Sequence, residues 1–380
     1  MSIRPSHPLV LACALAVFMA AGCTTAPVRQ SSTSLKNALP TRPAVAASVV
    51  PESFVSRESP EDELDSLAAW PTEDGRTWLV ATAKSTHRLV VFDADTGERL
   101  RAVGGPGSSL GRFNRPNGLA VHGDHLFVVE RDNHRVQVLG LPGFTPIGAF
   151  GDAELRSPYG IWVHETAPGQ LEVFVTDSFM YGPSFEVVPP LTELDQRVRR
   201  YRIDVDGAGG LDAMHQGSFG DTTAQGALRM VESIAGDPAH SRLLIAEEDT
   251  GAVGARTGST LREYTLEGRY SGRSLPESSF GAEAEGVALW DCRDGGGYWL
   301  AVDQMAPLTV FHLFDRETLA PSGSFQGEVT SYTDGIALHA AGTAAFPAGV
   351  LYAVHADKAV AAFDLREVAR VLALSPGCTQ

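Results

Sequence analysis

The sequence predicts an all-β protein, a six-bladed β-propeller, on three observations. A three-strand phrase recurs six times along the chain. Its period is about forty to fifty residues, which suits propeller blades better than a sandwich. Helical periodicity is nearly absent, apart from a short turn expected around Leu365–Leu372.

The elements follow in order. The leading strands are Leu67–Ala69, Gly118–Val121, Gly160–Val163, Ser233–Gly236, Gly286–Leu289 and Gly335–Leu338. The second strands are Trp78–Thr82, Leu126–Val129, Val173–Thr176, Leu243–Ala246, Tyr298–Val302 and Val350–Val354. Third strands follow at Leu89–Phe92, Val136–Leu139, Val198–Ile203, Leu261–Tyr264, Val310–Phe314 and Ala359–Phe363. All are short and bounded by Gly, Asp and Pro turns, as strands of an all-β fold are. The third copy carries a polar, Pro-containing insertion at residues 178–197, a length that points to a functional or mobile loop.

The N-terminus reads as an export signal. Arg4 supplies the positive start, and the apolar run Leu9–Ala21 is too short to span a bilayer comfortably. Ala20-Ala21-Gly22-Cys23 then matches lipoprotein processing, with Cys23 as the lipidated first residue. Residues 1–22 are thus expected to be a signal peptide, and 23–60, rich in Ser, Thr, Ala and Pro, a flexible tether. Residues 61–376 form the propeller, with the protein exported and lipid-anchored to the cell envelope at its periplasmic or outer-membrane face. Cys292 and Cys378 remain, either as a disulfide pinning the C-terminus or as two free thiols. A net charge of −16 excludes nucleic acid as a partner but not a phosphorylated small molecule bridged by cations.

In a propeller the residues opening each leading strand converge on the axis, and here they are acidic. Asp65, Glu232, Glu248, Glu283, Glu285, Glu328 and Asp334 stand at or near these positions, with Gln304 among them. Carboxylates gathered on one axis repel unless neutralised, and Ca²⁺ with oxygen ligands is the natural counter-charge.

These stretches resemble the β-propeller phytases. The likeness runs through Asp62–Trp70, Val231–Asp237 with Leu244–Asp249, Ala284–Val287, Thr330–Ile336 and Phe346–Leu351. It implies a monomeric, calcium-dependent, 3-phytase-like hydrolase that releases phosphate from inositol hexakisphosphate. By that resemblance Asp65, Glu232, Glu248, Glu283, Glu285, Gln304, Glu328 and Asp334 fall at calcium and active-site positions. Glu232, Glu285 and Asp334 would be catalytic. Arg131 and Tyr159 fall at phosphate-contacting positions, and Lys84 near a phosphate-binding lysine. Ser66 and Tyr332 stand where the family has Asp, and the lysine expected after Thr176 is missing.

A second resemblance is local. Gly111–Gly118 followed by Asp132–Val138 is similar to an NHL repeat, whose propellers are often binding scaffolds. The alternative function is therefore a non-catalytic propeller lipoprotein that binds protein or envelope polymer. A calcium lactonase on a six-bladed propeller fits less well, because the axis carries too many acids.

Overall fold

A computed structural model describes residues 46–205, 210–248 and 258–379. The signal segment, Cys23 and Asp249 lie outside these residues. The chain is a six-bladed β-propeller: six separate antiparallel sheets are arranged in a ring. Blade 1 is β3 to β6 (Leu64–Pro71, Thr77–Ala83, Arg88–Asp93, Arg99–Gly104), and blade 2 is β7 to β10 (Pro116–His122, His125–Glu130, Arg135–Gly140, Thr145–Phe150). Blade 3 is β11 to β14 (Pro158–Ala167, Gln170–Asp177, Val198–Val205, Leu211–Phe219), and blade 4 is β15 to β18 (Val231–Asp237, Arg242–Glu247, Thr260–Thr265, Tyr270–Ser274). Blade 5 is β19 to β22 (Ala284–Asp291, Gly297–Asp303, Val310–Asp315, Pro321–Gln326).

Blade 6 closes the ring with chain from both ends. Its strands β23 to β25 (Ile336–His339, Val350–His355, Ala359–Asp364) are completed by β2 (Phe54–Val55), which runs antiparallel to β25. β1 (Ser48–Val49) pairs in parallel with β22 of blade 5. This corrects the expectation that residues 23–60 are all tether. The folded body starts at least as early as Ser48, and Val50 is fully buried. Glu52 supplies the lock: its carboxylate accepts hydrogen bonds from the amides of Glu328 (3.0 Å), Val329 (3.1 Å) and Thr330 (2.8 Å) and from the Thr330 hydroxyl (2.6 Å). Burial opposes its charge, but those donors hold its carboxyl below the usual range.

The core is not one mass but six apolar layers, each shared by neighbouring blades. Blades 1 and 2, for example, meet through Val80, Leu89 and Val91 against Leu119, Leu126 and Val128. Alternation explains this: both faces of the second and third strands of a blade touch a neighbour, so those strands read as continuous apolar runs. The layer between blades 5 and 6 also takes Val50 and helix α1 (Leu365–Leu372), which forms where the sequence suggested a turn. The Asp364 carboxylate caps that helix by accepting from the Arg366 amide at 2.8 Å.

Cys292 and Cys378 form a disulfide that fastens the C-terminal end to blade 5. The sulfurs close a loop of 86 residues, for which the chain-entropy argument gives about 4.6 kcal/mol. Cys378→Ser is expected to lower the melting temperature by several degrees in scanning calorimetry. An unchanged melt would show that the linkage adds nothing to the closed ring.

Candidate metal centre

One backbone device aims the axial residues. In blades 1 to 5 the leading strand slips register against its neighbour at the same place: between Leu64 and Leu67, Pro116 and Leu119, Pro158 and Ile161, Val231 and Ile234, and Ala284 and Val287. Such a bulge bends the strand and redirects a side chain. The bulged residues are Asp65, Asn117, Tyr159, Glu232 and Glu285, and Asp334 holds the corresponding place ahead of β23. Each is followed by Gly or Ser, because the next blade's backbone presses against that position. A Cβ on Gly160 would lie 2.6 Å from the Glu232 carbonyl oxygen, and one on Gly335 would lie 2.4 Å from that of Asp65. The six side chains form a ring at one mouth of the channel.

A second tier sits above it. In blades 1 to 5 the residue just after the second strand donates its amide to the carbonyl two residues before the ring position. The pairs are Lys84 to Glu63 (3.0 Å), Arg131 to Arg115 (3.1 Å), Ser178 to Ser157 (2.9 Å), Glu248 to Met230 (3.0 Å) and Gln304 to Glu283 (2.9 Å). Residues as far apart in sequence as Lys84 and Asp334 thereby become neighbours. The insertion at 178–197 leaves from this same tier. It is anchored at both ends: Phe179 is buried under the Arg156 guanidinium (3.8 Å), and buried Arg197 donates to the carbonyls of Asp177, Phe179, Leu228 and Arg229. Its tip leaves Phe185 exposed.

The ring divides into two chemically different halves. On one side the Lys84 ammonium, only 6 % exposed, donates to Asp65 (2.8 Å) and Asp334 (3.1 Å). The remaining oxygens are engaged too. Asp65 accepts from the Ser66 hydroxyl (2.9 Å) and the Tyr159 phenol (3.3 Å), and Asp334 from the Gln304 amide. Burial opposes the charge on Lys84, but Asp65, Asp334 and Asp357 outweigh it and hold its pKa well above the usual range. Burial and the Asp334 charge push Asp357 up to about 7. Burial, then the surrounding carboxylates, keeps the Tyr159 phenol neutral and a donor.

On the other side Glu232, Glu248 and Glu285 offer three carboxylate oxygens within 4.8 Å of one another. Among the described residues no lysine or arginine is ion-paired with Glu232 or Glu285 in the way Lys84 is with Asp65 and Asp334. Glu232 is 5 % exposed, and its Oε2 is buried with no hydrogen-bond partner among the described residues. Burial and the charges of Glu248, Asp65 and Asp334 push the Glu232 carboxyl well up. Burial, then Glu248, Glu232 and Asp334, together with a hydrogen bond to Glu248, does the same to Glu285. An orphaned acceptor among buried carboxylates is costly. A hard cation removes that cost, and two oxygens bound to one Ca²⁺ lie up to about 5 Å apart. The triad therefore fits the ion that the acidic axis implies. A cation must displace protons from carboxyls held this high, so calcium affinity is expected to rise from acid pH, in the ordinary carboxylate range, to alkaline pH. Calorimetric titration at both ends of that range checks it, and a pH-independent affinity would contradict it.

The other sequence candidates lie outward. Glu283 is half-buried at the rim, its carbonyl held by Gln304. Glu328 is a correction to the predicted ligand set: it is exposed on the turn that Glu52 clamps, and among the described residues no contact brings its carboxylate to the axis. Arg131 is half-exposed and bound to Asp132 at 2.8 Å, on the same blade as Arg115, which reaches Glu63 at 3.3 Å. Lys84, expected at the rim for phosphate, is instead enclosed by carboxylates. Sequence reasoning missed Asn117, fully buried with both amide atoms unpartnered among the described residues. It also missed Glu63, Arg115 and Asp357. The Asn117-Gly118 pair repeats the pattern of Tyr159-Gly160, Glu285-Gly286 and Asp334-Gly335, and was the available signal.

Below the ring the channel is about 520 Å³ and lined largely by apolar residues such as Leu67, Leu119, Ile161, Ile234, Val287 and Ile336. Its lining begins one residue past each ring residue in five of the blades' leading strands and at Gly335 in the sixth. Charge is confined to the mouth.

Fold and site together define a six-bladed propeller with a ring of six axial side chains, four of them carboxylates, at one mouth. The NHL repeat family matches residues 113–139, which span most of blade 2. No curated protein matches the sequence. Among solved structures, a nidogen/laminin complex is similar at 15 % identity, covering 74 % of this chain and 87 % of that one with a TM-score of 0.45. BBS1N in complex with ARL6DN, soaked with lead, is similar at 11 % identity over 84 % and 98 %, TM-score 0.46. Kuenenia stuttgartiensis hydrazine synthase is similar at 14 % identity over 81 % and 75 %, TM-score 0.37. The chain is a β-propeller protein, with one stretch that matches the NHL repeat.

Proposed function

We propose that this protein is a calcium-dependent phosphomonoesterase, acting on inositol phosphates or related esters at the mouth of the propeller. One observation carries the reading: the triad Glu232, Glu248 and Glu285, its first and third members buried, with a Glu232 oxygen unpartnered among the described residues. These three residues would hold the ion. A bound calcium would polarise a phosphoryl oxygen and lower the pKa of a coordinated water. The chain's own groups bind and orient. Tyr159 presents a neutral phenol to the ring, and Arg131 and Arg115 supply guanidinium groups at the rim, suited to phosphate oxygens. The channel below offers a charged ester no charged side chain along its lining, so substrate approaches and leaves by the mouth.

Phosphate release from inositol hexakisphosphate and from a simple monophosphate, with calcium and with chelator, tests this. Calcium-dependent release supports it. No release from any ester over a wide pH range hands the site to the second reading, a cation-binding scaffold. The engagement of Lys84 and Arg131 by carboxylates favours that reading, because it leaves fewer free cations for phosphate.

Export and anchoring through Cys23 form part of the same proposal, resting on the Ala-Ala-Gly-Cys junction. No helix of the described residues is long and apolar enough to cross a membrane. Cys23→Ala is expected to move the protein out of the membrane fraction, and unchanged retention would exclude a lipid anchor at that residue.

A further inference from the structure

We infer that the Lys84 ammonium is a resident cation of the ring, so that the mouth takes one divalent ion, at the triad, and none between Asp65 and Asp334. The inference rests on the cation reading of the triad and adds the number and place of the ions.

Every carboxylate oxygen of Asp65 and Asp334 already accepts a hydrogen bond from the protein: from Ser66, Tyr159 and Lys84 on the first, from Gln304 and Lys84 on the second. A metal at either would have to share oxygens that already accept from the protein and to sit beside the Lys84 ammonium, whose charge repels it. Glu232 is the opposite case, with a buried oxygen that nothing in the described chain satisfies.

Position supports the same conclusion. Lys84 comes from blade 1, yet its Nζ bridges blades 1 and 6, with Glu63 3.9 Å away and Asp357 contributing its charge. That is the place a bridging ion would take. An ammonium has donors but no acceptor and no exchangeable ligand. It neutralises the acids, and it binds no water or substrate oxygen as calcium does. The long lysine arm is held almost wholly out of solvent, which a side chain tolerates only when its charge is paired. The two halves thus have separate tasks: blades 4 and 5 bind the ion, while blades 1 and 6 hold the ring closed.

Counting bound calcium on the full chain, by equilibrium dialysis with calorimetry, tests the inference as differences from the wild type. Glu285→Gln is expected to lose one ion. Lys84→Met, which keeps the length but removes the charge, is expected to gain one, and Lys84→Arg to bind as the wild type does. If Lys84→Met folds only when calcium is present, the gained ion is read from its calcium-dependent melt. Asp65→Asn provides a check that does not require Lys84→Met to fold. It should leave the count unchanged, and loss of an ion there would overturn the inference. A folded Lys84→Met that gains no ion would overturn it as well, while leaving the triad intact. If Glu285→Gln loses nothing, the triad reading itself fails.

Discussion

Glu285→Gln is expected to abolish calcium-dependent phosphate release and to weaken calcium binding by roughly two orders of magnitude or more. Loss of even an outer-shell partner commonly costs about 10- to 100-fold in metal affinity, and Glu285 is a direct donor in the triad. The amide keeps the shape and one carbonyl oxygen but removes the anionic charge. Glu232→Gln should act the same way, because its orphaned Oε2 is the acceptor that most needs an ion. Neither change touches the apolar layers between blades, so folding should survive. Metal-free Glu285→Gln should even melt slightly higher than the metal-free wild type, since one repulsive carboxylate has gone. Arg131→Ala should differ in kind. It is half-exposed at the rim, so its loss should raise KM more than it lowers kcat. A Glu285→Gln enzyme with wild-type turnover would place the chemistry elsewhere.

The second large effect concerns closure. A chain that begins at Asp62 lacks β1, β2, Val50 and the Glu52 clamp. It loses one fully buried Val, worth about 1.5–3 kcal/mol, and the packing of Phe54 on Phe346 and Tyr352. It also loses backbone hydrogen bonds from Val50, Ser53 and Ser56, each worth about 1 kcal/mol net. The sum is of the order of 5 kcal/mol, comparable with the whole stability of many domains. The shortened chain should melt far below the full one, or fail to fold. A urea midpoint close to that of the full chain would show that blade 6 stands without its outer strand.

Much of this was legible in the sequence, and for definite reasons. Blades are built from strands whose middles are apolar on both faces, so runs such as Leu79–Val80 and Phe127–Val129 announce themselves. Asp65, Glu232, Glu285 and Asp334 were legible because each precedes Gly or Ser at a recurring place. The closing strands were not. Ser48–Val49 and Phe54–Val55 are too short for any alternation, and they lie in a stretch whose composition reads as tether. Nor did Lys84 declare its role. A lysine after an apolar strand looks like a rim cation, and only the ring brings it within 3.1 Å of an aspartate 250 residues away. Glu328 was misplaced because an acid before a blade looks axial, whereas this residue is exposed on the turn whose amides Glu52 holds. The pairing of Cys292 with Cys378 was open for a similar reason, since a spacing of 86 residues carries no geometric information.

The central claim, that the triad holds a divalent cation, is tested most directly by thermal melts at graded calcium concentrations. An ion that binds only the native ring raises the melting temperature by mass action. The wild type should climb steadily with calcium and fall back with chelator, while Glu285→Gln should stay nearly flat. A wild-type melt that is the same in chelator and in excess calcium would contradict the account.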